Sequence, residues 1–263
     1  MLTVGQGPEL TPALLAGADA LVVAGGDGTV HHAAGAAIES GVPIYHAACG
    51  NENLFAREFG MRPDPRAVLD ALDHGERRRV DLGQCNGSSF LIMGSVGPDA
   101  SVIRRLHRSR RRPTGHLAYA RPVLYEAFRP YLPEMTVHVD GETLLGDWRG
   151  IVVVANCRQY AMRVDPCPGA CMDDGLLDLV CLPCTTTVGA ARRFLQCRRR
   201  VQGRYRGVVF ARGERVSLEI KGDDPICQMD GEAPRAGGAV DGAGTLEFMV
   251  EAGVLPVLVP PAR

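Results

Sequence analysis

The apolar run Ala20-Leu21-Val22-Val23-Ala24 ends in Gly25-Gly26-Asp27-Gly28-Thr29, and the alanine-rich stretch Val30 to Glu39 follows it directly. A short buried strand, a glycine turn and a helix in immediate succession leave few architectures open. The order then recurs. Val42 to Ala48 reads as a second strand and runs into Cys49 to Gly60, a polar turn followed by a helix-like stretch. Two such units predict a parallel α/β sheet, in which ligands gather at the carboxyl ends of the strands. Ahead of them, Thr11 and Pro12 suit an N-cap and a first helical position.

From about Arg79 the rhythm changes. Asn86-Gly87 stands between two strand-like runs, which is a hairpin signal. Further strands are expected at Met135 to Val139, Ile151 to Ala155, Leu176 to Leu182, Val208 to Phe210, Val216 to Ile220 and Ile226 to Met229. Helical stretches are expected around Ala118 to Phe128 and Val188 to Arg200. A boundary near residue 79 thus separates an α/β part from a β-rich part.

Composition removes several function classes. No segment is apolar for long enough to span a bilayer, and the N-terminal residues lack the pattern of a signal peptide. Nine cysteines, an odd number without an export signal, point to reduced thiols in a cytoplasmic protein. The formal net charge of -1 gives no general affinity for polyanions, although Arg104 to Arg112 and Arg192 to Arg206 are basic blocks. The first block lacks interleaved aromatics, which argues against nucleic acid and suits an anionic membrane surface or a solvated helix face. Lys221 is the single lysine, so no Walker-type loop exists and a phosphate site must use backbone amides, arginine or metal.

Four short stretches can carry chemistry. In Gly25-Gly26-Asp27-Gly28-Thr29 the glycines let backbone amides approach a phosphate at a helix N-terminus. Asp27 repels a bare phosphate, so it implies Mg²⁺, a hydroxyl or a basic partner, or else it only serves a tight turn. Gly50-Asn51-Glu52-Asn53 faces the same crevice and offers amide side chains to a nucleotide, or an N-cap to the next helix. Asp173, Asp174 and Asp178 flank a turn, where they suit a hard cation or plain solvation. Glu232 in Gln228 to Pro234 is a general base if it converges on the transferred group, but Asp140-Gly141-Glu142 is a near copy, and the residues alone do not choose between Glu232 and Glu142. Cys167, Cys171, Cys181 and Cys184 have zinc-like spacing, yet a strand separates the pairs. His31 and His32 lack the carboxylate spacing of metal ligands.

Taken in order, VVAGGDGTVHHA, GNENLFAREFG, RRVDLGQCNG, VVVANCRQYA, DDGLLDLV and QMDGEAP resemble the diacylglycerol kinase catalytic family, which includes bacterial lipid kinases and sphingosine kinases. The resemblance implies a parallel-sheet α/β nucleotide-binding domain similar to NAD kinase over 1–79, shortened at its start, and a C-terminal β-sandwich substrate domain over 80–244. It also implies a closing strand, 245–263, that returns to the first domain. Only Met1 to Asp19 precede the first strand, where family members carry a further strand and a loop that contacts ATP. NAD kinase itself shares the glycine motif but not the later motif order.

The implied activity is transfer of the γ-phosphate of ATP, with Mg²⁺, to a hydroxyl of diacylglycerol, a sphingoid base or a related lipid at a membrane surface. In that resemblance Gly25, Gly26, Asp27, Gly28 and Thr29 line the ATP phosphates, with Asn51 and Asn53 at the nucleotide, Asn51 where threonine is usual. Glu232 is the base, which favours it over Glu142. Asp174 binds Mg²⁺ with backbone oxygens near Cys171 and Leu176, and Asp81 joins that network. Ala161-Met162-Arg163 replaces a stretch that is often glycine-rich, and His32 stands where an acid is common. The other reading is a nucleotide- or lipid-binding relative without turnover. The lipid and the oligomeric state, a homodimer included, stay open.

Overall fold

Strands β1 (Leu21–Gly25) and β2 (Ile44–Ala48) pair in parallel, from Leu21 beside Ile44 to Gly25 beside Ala48. Helix α1 (Asp27–Ser40) connects them and ends on Gly41, whose φ of 72° is the left-handed conformation that closes a helix at little cost for glycine. Its buried face is Val30, Ala33, Ala34, Ala36 and Ala37, small enough to bring the helix close to the sheet. The computed structural model describes residues 10–108, 125, 128–222, 225–233 and 244–261. Most of the helical stretch expected at 118–128, and the basic block beyond Arg108, lie outside them.

Before β1, Thr11 and Pro12 start only a 3₁₀ turn, Pro12–Leu15, because Gly17 turns the chain toward the strand. After β2 come the short α2 (Leu54–Glu58) and α3 (Pro65–His74). Sequence reading passed over α3, although Asp64-Pro65 is a start signal. The Asp64 carboxylate accepts hydrogen bonds from the Arg66 and Ala67 amides.

The β-rich part is built from β3 (Glu76–Cys85), β4 (Ser88–Phe90), β5 (Met93–Val96), β6 (Glu134–Val139), β7 (Glu142–Ala155), β8 (Leu177–Pro183), β9 (Val209–Gly213), β10 (Arg215–Ile220) and β11 (Gln228–Met229). Helix α4 (Pro98–Arg108) follows β5 and α5 (Thr187–Arg198) follows β8. Asn86 and Gly87, both at positive φ, make the expected β3–β4 hairpin. Strand β7 extends nine residues upstream of the expected Ile151, because Glu142–Arg149 pairs with β6 through a polar stretch that carries no apolar run. Its second half pairs with β5 and β8, so one long strand joins two layers. Phe90, Met135, Val137, Val152, Val154, Leu177, Leu179, Leu218 and Phe248 fill the space between the layers. Each such large side chain contributes about 1.5–3 kcal/mol by burial.

Strand β12 (Thr245–Val259) begins beside β10 and ends with Val257 beside Ile44 of β2. It pairs antiparallel with β3 along both halves, interrupted by a bulge between Glu251 and Leu255. Leu255 and Val257 enter the core shared with Leu21, Val23, Ile44 and Phe55. The closing strand therefore fixes the α/β part and the β-rich part against a common backbone.

Candidate active site

The carboxyl ends of β1 and β2 lie side by side, so the two polar turns that follow them meet. The contact is glycine to glycine: a Cβ on Gly50 would stand 2.6 Å from the Gly26 Cα. No side chain fits there without moving backbone. His46, fully buried on β2, holds the turn from beneath through Nε2, 2.9 Å from the Gly25 carbonyl oxygen.

Asp27 lies at the first turn of α1, and both its carboxylate oxygens accept backbone hydrogen bonds, from the Leu54 and Phe55 amides at 3.0 Å. It caps α2, the helix of the second unit, and so ties the two turns together. Asn53, left-handed at φ 49°, uses its carboxamide on Gly50, accepting from the amide at 2.8 Å and donating to the carbonyl at 2.7 Å. Asn51 is exposed at the rim. Of the residues expected to meet a nucleotide, the amides of Gly26 and Gly28 and the Asn51 side chain keep open positions, whereas the Thr29 amide donates to the Gly26 carbonyl at 2.9 Å and Asp27 and Asn53 organise the loops.

The third component comes from the far end of the chain. Asp230 and Gly231, at φ 52° and 81°, form a tight turn between Met229 and Glu232, which exchange backbone hydrogen bonds at 2.9 and 2.8 Å. The turn projects Glu232 over α1, where a Cβ on Gly28 would lie 3.6 Å from Glu232 Oε1. Asp230 anchors the turn: its carboxylate accepts from the amides of Leu91 (2.6 Å), Ile92 (2.8 Å) and Met93 (3.0 Å). His31 Nδ1 of α1 stands 3.7 Å from the same carboxylate. Glu142 opens β7 beside Val139, at the hairpin of the second sheet layer.

A buried chain of polar groups supports this turn. The Gly231 amide donates to Gln228 Oε1 (2.7 Å), Gln228 Nε2 donates to Ser95 Oγ (2.8 Å), and Ser95 Oγ donates to Asp99. The Tyr160 hydroxyl donates to the same Asp99 oxygen at 2.9 Å. Burial and the neighbouring Asp99 push the Tyr160 hydroxyl well above its ordinary range, so it remains a donor. Sequence reading missed Asp230, His46, Gln228 and this chain. A left-handed Asp-Gly pair in QMDGEAP was the one available signal for Asp230.

The Asp173-Asp174 turn is a separate neighbourhood. Asp81, buried, accepts from the Gly175 and Gly253 amides at 2.7 Å each and so fastens the turn to the β12 bulge. Asp174 accepts from the Leu176 amide at 3.2 Å and is paired with the Arg212 guanidinium, which also lies 3.2 Å from Asp178. Burial raises the Asp178 carboxyl, with Arg212 opposing. Cys171 donates its thiol to Asp173 at 2.8 Å, and Cys167 donates to the Asp178 carbonyl. Among the described residues no three His, Cys, Asp or Glu side chains converge as metal ligands. As arranged, the Asp174 turn does not fit a resident Mg²⁺, because a guanidinium already neutralises its carboxylate and amides occupy Asp81.

The chain matches the diacylglycerol kinase catalytic domain over residues 5–85 and the YegS C-terminal NAD kinase β-sandwich-like domain over residues 93–258. The chain belongs to the diacylglycerol kinase catalytic family. A protein of Pseudomonas fluorescens called "probable lipid kinase YegS-like" is 30% identical to this family member over 94% of the chain and 80% of the relative. A diacylglycerol kinase of Mycobacterium tuberculosis is 31% identical, over 65% of this chain and 57% of its own length. A diacylglycerol kinase crystal structure from Bacillus anthracis superimposes with a TM-score of 0.65 at 14% identity, covering 95% of this chain and 79% of that one. That likeness establishes the α/β-plus-β-sandwich fold for this member of the family. Among its described residues no helix is long and apolar enough to cross a membrane.

Proposed function

We propose that this member of a lipid kinase family transfers the γ-phosphate of ATP to a lipid hydroxyl, with Glu232 as general base. The observation that carries this reading is the position of Glu232 over Gly28, where a carboxylate from the end of the chain meets the glycine turn at its start. Gly26 and Gly28 present backbone without side chains, and α1 directs its N-terminal amides to the same place, which suits the terminal phosphates of a nucleotide. These amides supply charge stabilisation where no lysine is present. Glu232 is exposed, and takes the hydroxyl proton on a carboxylate oxygen as the lipid oxygen bonds to the γ-phosphorus and the bond from that phosphorus to the β,γ-bridging oxygen breaks, its electron pair leaving with ADP. Asp230 and Gln228 hold the turn that carries Glu232 and do not touch the reacting atoms. A divalent ion that arrives complexed with ATP belongs to the substrate. No step is assigned to a metal at Asp174.

The test is transfer of labelled γ-phosphate from ATP to a mixed lipid extract by the wild type and by Glu232→Gln. Loss of a general base lowers turnover by about 10²–10⁴-fold, and the exposed site predicts unchanged thermal stability. Equal turnover in the variant would remove Glu232 from the chemistry. Nucleotide binding by a wild type that labels no lipid would leave the binding-only reading.

A further inference from the structure

The basic block that begins at Arg192 takes no part in the site above. Between Asp178 and Glu214 the sequence holds no acidic residue and eight arginines: 192, 193, 198, 199, 200, 204, 206 and 212. Four of them are engaged: Arg193 donates to the Pro183 carbonyl and Gln196, Arg198 donates to the Met162 carbonyl, and Arg200 and Arg212 pair with aspartates. Arg192, Arg199, Arg204 and Arg206 are exposed and make no ion pair among the described residues.

Apolar side chains stand exposed among these charges. Val188 is 79% and Leu195 43% exposed, and with Arg192 they share one stripe of α5 at helical spacing, with Arg199 at the C-cap just beyond it. The surface is continuous: the Arg192 guanidinium lies 5.6 Å from the Tyr205 ring, and a Cβ on Gly203 would touch the exposed Phe210. It also reaches the mouth of the cleft. Arg198 holds the carbonyl of Met162, an exposed side chain, while the Met162 amide donates to Glu52 in the second polar turn.

We propose that the outer face of α5 and the segment 199–210 dock on an anionic phospholipid bilayer and set the cleft against it. This rests on the reading of a lipid as substrate. Arginines without acidic partners match anionic headgroups, and the interleaved Val188, Leu195 and Phe210 enter the interfacial region, the combination that holds interfacial helices. A second copy seated here by two-fold symmetry would oppose arginine to arginine, and RNA would leave Val188 and Leu195 without a partner.

The experiment is cosedimentation of the full chain with vesicles of phosphatidylcholine plus phosphatidylglycerol, against phosphatidylcholine alone, at low and high salt. Wild type binds the anionic vesicles and loses affinity with salt. Each neutralised arginine lowers affinity about five-fold, so the triple variant R192Q/R204Q/R206Q loses about a hundred-fold. V188S/L195S lowers what binding remains at high salt. In both variants, turnover on a short-chain diacylglycerol dispersed in detergent equals that of the wild type, which separates docking from chemistry. Wild-type vesicle binding by the triple variant overturns the proposal. So does preferential binding of RNA, or a dimer that V188S/L195S dissolves while vesicle binding stays intact. Docking by a wild type that phosphorylates no lipid keeps this surface and rejects the kinase reading.

Discussion

Replacing Asp230 by asparagine tests whether the hairpin that carries Glu232 is held from behind. The side chain is 8% exposed and its carboxylate receives three amides, two on Oδ1 and one on Oδ2. Asparagine keeps the volume but offers one carbonyl oxygen. If that oxygen takes the Oδ1 place, Ile92 and Met93 keep an acceptor, while the Leu91 amide faces an NH₂ group that can only donate. A lost hydrogen bond to a charged acceptor costs about 1.5–3 kcal/mol, and an unsatisfied buried donor raises the total to about 2–4 kcal/mol. The relaxation available to the hairpin is to lift away from β5, which carries Glu232 off Gly28. A displacement of about 1 Å at a reacting group costs about 10²-fold in rate. Urea unfolding and steady-state phosphotransfer, run on the same preparations, measure both losses. The expected outcome is a lowered midpoint together with lowered turnover, whereas Glu232→Gln loses turnover alone. Wild-type values of both in Asp230→Asn would refute the anchoring argument, and lost turnover at unchanged stability would place Asp230 in the chemistry itself.

Three further outcomes follow from packing and charge. Gly50→Ala forces apart two loops whose backbones touch, at a cost of about 1–3 kcal/mol, and calorimetry checks the loss in Tm. Asp165 is buried with its carboxyl raised above 3.8, burial being the main cause and Arg200 opposing. A raised folded pKa gives stability that is full below the unfolded value and lost as pH rises through the folded one. The Tm of the wild type relative to Asp165→Asn therefore rises as pH falls from neutral toward 4, and a flat difference would contradict it. Arg212→Gln leaves Asp174 and Asp178 uncompensated, which costs about 1–2 kcal/mol at this half-exposed site. Mg²⁺ recovers part of the lost Tm in the variant and leaves the wild type unchanged, as differential scanning fluorimetry would show.

The periodicity of the sequence determined the elements. Two strand–turn–helix units, the Asn86-Gly87 hairpin and most strands of the β-rich part were legible because each is fixed by local burial and turn chemistry. The first half of β7, which carries no apolar run, was not, since its partner rather than its composition makes it a strand. The family resemblance carried by the motif order is what grouped Gly26, Gly28 and Glu232, and the fold sets Glu232 Oε1 3.6 Å from where a Cβ on Gly28 would lie. What a carboxylate does there was decided only by tertiary structure. Asp27, Asp81, Asp174 and Asp230 look equivalent along the chain, yet the fold gives the first, second and fourth to backbone amides and pairs the third with a guanidinium. The physical reason is that an ionised oxygen binds whatever donor lies within about 3 Å of it, and that donor comes from residues 27 to 172 positions away along the chain.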